Sequence, residues 1–380
     1  MPIYVNKPSL IYWEITESCN HNCIHCSNYW RNFGNSKVAV SNSISAHILM
    51  EVAHKIAEIK PFRVVITGGE PLIVFNILRP AVDFLLARKI QVSINTNCAM
   101  LTDEIARYLA EKQIGLFVSF PSCIPAEFDK IVDRMGAFEQ VSNGLKIAKM
   151  HGVRFTTNTV VSRINIASLY ETIKYLKEAY GLRAFSVTYA SRPINANDEF
   201  SKIMLDEDER HYYLSESVRI CKNLKVKIRA ASHMALCSFK DYSTFKHFAL
   251  KSACTAGKGA VTITGAGDLR ACARDDKIYG NILNESFGEI LARMSEWRKR
   301  KMYIPAECKF CPVKDFCNGG CPVDNKLSPK AGQQINIHSV PERKWKTYIW
   351  TQRLIFRNGL LSIIKEPAAF FKYMRTKLSK

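Results

Sequence analysis

No run of eighteen or more apolar residues occurs anywhere in the chain, so nothing in it is long enough to span a membrane as a helix. The first residues, MPIYVNKPSLIYWEIT, also lack the basic start and apolar stretch of a secretory signal and run directly into a strand-like segment. The thirteen cysteines are therefore expected to sit in a reducing cytoplasm, and their clustering suits metal-bound thiolates better than disulfides. Acidic residues are short as well. There are 34 Asp and Glu against 54 Lys and Arg, a formal net charge of +20. That balance implies an acidic partner: an anionic peptide, a nucleic acid or an anionic membrane surface. No RNA-binding module accompanies it, so the charge alone supports a nucleic-acid reading. No peptide-recognition domain precedes Leu10, and a leader peptide would have to bind the body, the tail or a separate recognition protein. With 380 residues, 47% of them hydrophobic, one large domain and a smaller one are expected.

The most informative stretch is Thr16 to Asn28, TESCNHNCIHCSN, which spaces Cys19, Cys23 and Cys26 as C-x3-C-x2-C with His25 just before the last. Thiolate is the soft donor that both zinc and iron–sulfur clusters select, so ligand type leaves the metal open. A zinc knuckle would have to borrow His21 or His25, and structural zinc sites usually read C-x2-C. Three thiolates can instead hold three irons of a [4Fe–4S] cube and leave the fourth iron open to a substrate.

Around this stretch, apolar periodicity predicts strands and helices in alternation. Strands are expected over residues 10–16, 63–67, 91–95, 114–120, 153–161 and 184–189. Helices are expected over 44–60, 75–88, from Thr102 onward, 137–151 and 166–180. Six strand-then-helix units predict a parallel sheet with right-handed crossovers, too few for a closed eight-stranded barrel. The fold class is thus an open (β/α)6 partial TIM barrel over residues 1–200, with its site at the C-terminal strand ends. A helical bridge (201–250), a small cysteine-rich domain (251–330) and a basic amphipathic helical tail (331–380) complete the chain.

Each candidate motif follows a strand. Gly68-Gly69-Glu70-Pro71 follows the second, where two glycines permit positive φ and Pro71 starts a helix. Thr96-Asn97-Cys98 follows the third. Ser119, then Arg134-Met135-Gly136-Ala137-Phe138, follow the fourth. The cysteine triad and these turns resemble the radical SAM superfamily. The resemblance implies a [4Fe–4S] cluster on Cys19, Cys23 and Cys26, with S-adenosylmethionine on the open iron and His25 beside it. It further implies Gly68, Gly69 and Glu70 at the cofactor's amino group, Asn97 near its ribose, and Ser119 and Arg134 at its carboxylate. Cys98 stands where that family has Gly, and Pro121-Ser122 where it has Asp-Gly.

Farther on, VTITGAGDLRAC reads as a hairpin turning at Gly265 and Gly267, with Cys272 on the return. Then come Cys308-x2-Cys311-x5-Cys317-x3-Cys321. In isolation this array would suit zinc. Preceded by the first motif, it resembles the SPASM extension, which implies one or two auxiliary iron–sulfur clusters. By position, Cys254, Cys272 and Cys321 would serve the first, and Cys308, Cys311 and Cys317 the second. No Cys follows Cys321 to complete the second. Asp324 or His338 is a candidate there, and Cys237 a distant candidate for the first; Cys98, Cys123 and Cys221 read as small buried hydrophobes.

These resemblances imply an oxidoreductase that reductively cleaves S-adenosylmethionine, taking its electron from an external donor such as a flavodoxin or ferredoxin. The favoured substrate is a ribosomally made precursor peptide, crosslinked by the enzyme. Alternatives are a sulfatase-type maturase and a dehydrogenase of a small alcohol or sugar. Against the maturase, Ala273 follows Cys272 where that group carries Asp. The tail from Pro341 holds ten Lys or Arg with Trp345, Trp350, Phe356, Phe370 and Phe371. It either packs on the body or docks an acidic peptide or membrane.

Overall fold

The structure, a computed structural model, describes residues 7–28, 30, 44–230, 233–249, 254–299, 304–317, 319–327 and 341–357. Strands and helices alternate through the first half: β1 (Leu10–Glu14), α1 (Ala46–Ile59), β2 (Arg63–Thr67), α2 (Phe75–Ala87), β3 (Gln91–Thr96) and α3 (Asp103–Glu111). Then follow β4 (Gly115–Ser119), α4 (Pro125–Val132), α5 (Ala137–Met150), β5 (Phe155–Val161), α6 (Leu169–Tyr180) and β6 (Ala184–Tyr189). Local chemistry explains the boundaries. The Ser45 and Thr102 side chains accept the N–H of Ile48 and Ile105, satisfying donors that the first turns of α1 and α3 leave over. One helix, α4, was not foreseen between β4 and α5; its signals are Pro125 in the first turn and the apolar Phe128, Ile131 and Val132.

The expected bridge holds α7 (Glu199–Ile203), α8 (Glu207–Asn223) and α9 (Tyr242–Phe248), but also β7 (Lys227–Ala230), which pairs parallel with β6. Next come β8 (Ala260–Thr264), β9 (Asp268–Arg270) and β10 (Ile278–Asn281), then α10 (Phe287–Arg293), α11 (Ser295–Lys299), α12 (Lys314–Cys317), α13 (Pro322–Leu327) and α14 (Pro341–Arg357). The anticipated hairpin is β8–β9, and β8 pairs parallel with β1. The result is one open sheet in the order β10-β9-β8-β1-β2-β3-β4-β5-β6-β7. It therefore runs on past residue 200 at one edge and into the cysteine-rich region at the other.

Register partners in a sheet share a face, and here the two faces differ. Ile11, Val64 and Val92 share one, as do Trp13, Ile66, Ile94 and Leu116. All seven are buried in one core cluster with Leu49, Val52, Leu78 and Leu145 of the helices. Fully burying side chains of this size stabilises by roughly 1.5–3 kcal/mol each. The opposite face carries Glu14 with Thr67, Ser119 with Asn158 and Ser186, and Thr188 beside Asn158. A crossover helix covers only one side of such a sheet, so this polar face lines the concave interior.

Helix α14 packs on α9 and on the turn Leu236–Ser238. Trp350 lies 5.4 Å from Phe245 and 5.9 Å from Tyr242, the Arg353 guanidinium stacks 4.5 Å over Tyr242, and Thr347 and Thr351 are buried. This part of the tail packs on the body. The expected breaks at Gly359 and Pro367, and the aromatic pair Phe370 and Phe371, lie outside the described residues.

Candidate functional site

The cysteine loop leaves the C-terminal end of β1 and is held from three sides. Gly69 and Glu70 N–H donate to the Thr16 and Ser18 carbonyls at 2.7 and 2.8 Å. Asn22 and Ile24 N–H donate to Val132 and Ile131 at 2.9 and 3.0 Å, so the unforeseen α4 carries part of the loop. The Asn97 amide donates to Asn20 Oδ1 at 2.6 Å, Arg134 Nη1 to the Asn20 carbonyl at 2.6 Å, and Asn28 to the Gly68 carbonyl at 3.1 Å. The motifs after β1, β2 and β3, with Arg134, thus form one connected unit. Within it, Cys26 N–H donates to the Cys23 carbonyl at 3.1 Å, and His21 N–H approaches Cys19 Sγ at 3.5 Å. His25 lies inside this loop. His21 is buried, and burial, aided by the nearby Arg134 charge, lowers its pKa to about 4, which favours the neutral imidazole.

The two glycines are required by the loop itself. A Cβ on Gly68 would fall 2.3 Å from the Thr16 carbonyl oxygen, and one on Gly69 2.1 Å from that of Ser18. Glu70 is fully buried. Its Oε1 accepts the Thr96 hydroxyl at 2.7 Å and Leu72 N–H at 3.0 Å, and its Oε2 accepts Asn97 N–H at 2.7 Å. Burial raises its pKa, while the bonds from Thr96, Asn97 and Leu72 act the other way. Next to it, Cys98 has φ of 67°, the left-handed region that Gly enters without strain. Ser119 stands exposed at the end of β4, and Arg134 is exposed except for its bond to the loop.

The later cysteines divide into two sets. Burial, with a smaller contribution from the nearby Cys254, pushes the Cys272 thiol up to about 11. Cys321 feels Cys272, and Arg274 Nη1 donates to Cys321 Sγ at 3.2 Å. Arg274 is itself anchored by Asp324 at 2.7 Å and by the Arg192 carbonyl at 3.0 Å; Tyr189 donates to the other Asp324 oxygen at 3.2 Å. Burial opposes the Arg274 charge, but Asp324 and Cys321 more than offset it and raise its pKa. Behind this set, the buried Arg270 pairs with Glu14 of β1 and donates to the carbonyls of Ala273 (3.0 Å) and Asp275 (2.7 Å). None of Arg270, Arg274 and Tyr189 was singled out in the sequence, where each reads as an ordinary residue.

The other set is Cys308, Cys311 and Cys317, which line one small cavity together with Cys237. Two expectations are corrected here. Cys237 belongs with this set and not with Cys254 and Cys272, because the turn Leu236–Ser238 lies against the loop of Cys317. Asp324 belongs with Cys321 and Arg274, in the first turn of α13, and not with this set. His338 lies outside the described residues.

The donors suit iron–sulfur clusters. Cys19, Cys23 and Cys26 are soft thiol donors in one loop pinned by its backbone, and each could hold a different iron of a cube.

Comparison with known proteins places this arrangement. Residues 13–176 match the radical SAM superfamily, and residues 254–312 match the SPASM iron-sulfur cluster-binding domain. The AdoMet-dependent heme synthase of Methanosarcina barkeri is 28% identical over 335 residues, covering 83% of this chain and 91% of its own. Mycofactocin maturase MftC of Mycobacterium tuberculosis is 24% identical over 334 residues, covering 83% and 79%. The structure of Streptococcus suis SuiB bound to precursor peptide SuiA shares the fold with a TM-score of 0.67 at 15% identity, over 88% of this chain and 76% of that one. The chain belongs to the radical SAM superfamily as an enzyme with a C-terminal SPASM domain, using S-adenosylmethionine, a [4Fe–4S] cluster and auxiliary iron–sulfur clusters.

Proposed function

We propose that this enzyme modifies a precursor peptide, most simply by crosslinking two of its side chains. Cys19, Cys23 and Cys26 would hold the S-adenosylmethionine-binding cluster; Cys254, Cys272 and Cys321 one auxiliary cluster; and Cys308, Cys311 and Cys317 another. Bound at the first site, the cluster and S-adenosylmethionine supply a 5′-deoxyadenosyl radical that can take hydrogen from an unactivated C–H bond. The protein's own part is to place the cofactor and the substrate. Arg134 and Ser119, both exposed beside the loop, would receive the cofactor carboxylate. Glu70 would serve the amino group chiefly by fixing the turns of Gly68, Gly69 and Asn97, since its own carboxylate is buried under three donors.

The observation that carries the peptide reading is the polar concave face. Asn158, Ser186 and Thr188 offer neutral donors and acceptors that suit peptide amides. The heme synthase relative supports a second reading, a carboxylate-bearing haem precursor. Such a substrate asks for available cations, whereas the buried Arg270 and Arg274 near this face already pair with Glu14 and Asp324. The net charge of +20 suits an acidic substrate of either kind. Release of 5′-deoxyadenosine should rise above its basal rate when the cognate peptide is added, and the peptide should lose the mass of two hydrogens. Stimulation by a haem precursor and by no peptide would transfer the assignment to the second reading.

The cofactor contacts are tested separately. Arg134→Ala should retain its iron and melt as the wild type does, yet bind S-adenosylmethionine about ten- to a hundredfold more weakly, the effect of one charge-assisted bond of roughly 1.5–3 kcal/mol. Glu70→Ala should lower both binding and melting temperature, because it strands buried donors of Thr96 and Asn97. Equilibrium dialysis and thermal melts of both variants check this. Unchanged binding in Arg134→Ala would move the carboxylate site elsewhere.

A further inference from the structure

The family pattern leaves the second auxiliary set one thiolate short on its C-terminal side, and the structure supplies a thiol from the opposite direction. Cys237 lies on the short turn Leu236–Ser238, upstream of the cysteine-rich region, and is 8% exposed. It faces the cavity lined by Cys308, Cys311 and Cys317. The same turn donates Leu236 N–H to Cys317 Sγ at 3.3 Å, so the turn is tied directly to one sulfur of the set. Helix α14 closes the cavity with Lys344 and Thr347. The other cysteines outside the motifs have different surroundings: Cys98 touches Gly144, Cys123 N–H donates to Thr172, and Cys221 contacts His247. Four thiols around one buried cavity repel one another once ionised, and burial in low dielectric adds to that cost. A bound cation or cluster removes it, because a coordinating thiol gives up its proton to the metal.

We infer that Cys237 is the fourth thiolate of the auxiliary cluster held by Cys308, Cys311 and Cys317, contributed from the bridge before the SPASM domain. This rests on the proposed assignment of those three cysteines to a cluster. The second auxiliary cluster is then closed by four thiolates and does not bind substrate. The first, with Cys254, Cys272 and Cys321, is the one with a position left to fill, and Arg274 and Asp324 stand beside it.

The test compares anaerobically purified full-length variants by iron content and by electron paramagnetic resonance after reduction. Cys237→Ala and Cys308→Ala should each lose about four irons per chain, and the double variant no more than either alone, since one cluster is involved. Cys123→Ala, outside every set, should keep the full count. Cys237→Ser retains the volume and offers an oxygen ligand, so it should keep the cluster with an altered spectrum; it decides the matter if Cys237→Ala does not fold. Full iron and an unchanged spectrum in Cys237→Ser overturn the inference, whatever Cys237→Ala does. If Cys308→Ala loses four irons while both Cys237 variants match the wild type, only this inference falls. If Cys308→Ala also keeps its iron, the underlying cluster assignment falls with it.

Discussion

Replacing Cys19, Cys23 and Cys26 together by alanine should remove about four irons per chain and abolish formation of 5′-deoxyadenosine. The loss should be complete, because the open iron exists only if three thiolates hold the rest of the cube. The scaffold should survive the change. The bonds that pin the loop, from Gly69, Glu70, Asn22 and Ile24, are between backbone groups and do not involve sulfur. The His21 N–H to Cys19 Sγ contact would be lost, a small effect beside those. The triple variant should therefore purify as folded protein with its auxiliary clusters present, and iron analysis with chromatography of the products checks both halves. Cleavage of S-adenosylmethionine by this variant would mean that the opening stretch does not bind the catalytic cluster.

Arg270→Met should be the most destabilising single change outside the cysteines. Its guanidinium is fully buried against Glu14 of β1, and truncating one partner of such a pair strands a charge at a cost of about 3–5 kcal/mol. It also frees the carbonyls of Ala273 and Asp275, which shape the loop that carries Cys272. A lower melting temperature should thus be accompanied by loss of iron from the first auxiliary site. Adding Glu14→Gln should restore part of the stability, because no buried charge is left unpaired, while leaving the iron deficit in place. A double-mutant cycle separates the two contributions. If Arg270→Met melts within about 1 °C of the wild type and keeps its iron, the pair does not join the barrel to the cysteine-rich region; for a chain this long a loss of about 3–5 kcal/mol would show as a shift of roughly 4–6 °C.

Much of this molecule is legible in local pattern. The alternation of apolar runs with helical periodicity is a property of neighbouring residues, and β1 to β6 with their helices lie where that periodicity puts them. The triad spacing is likewise local: three thiols within one loop after a strand must face one region of space. Helix α4 escaped because its eight residues span barely two turns, too few for Phe128, Ile131 and Val132 to mark a helical period. The division of the later cysteines could not be read in this way. Cys321 lies four residues after Cys317, yet it turns toward Arg274 and Cys272, while Cys237 arrives from far upstream. Those groupings depend on β8 pairing with β1 and on the turn Leu236–Ser238 packing against Cys317 and α14. The role of Glu70 shows the same limit. Its place after two glycines marks it in the sequence, but only the close packing of three strand-end loops decides that its carboxylate points inward, to Thr96 and Asn97. Sequence by itself determined the parallel strands β1 to β6, their connections and the spacing of thiols in the first cysteine loop, because these follow from contacts among near neighbours. Tertiary structure alone decided which distant thiols, carboxylates and guanidinium groups share a site, because that depends on long-range packing no short spacing encodes.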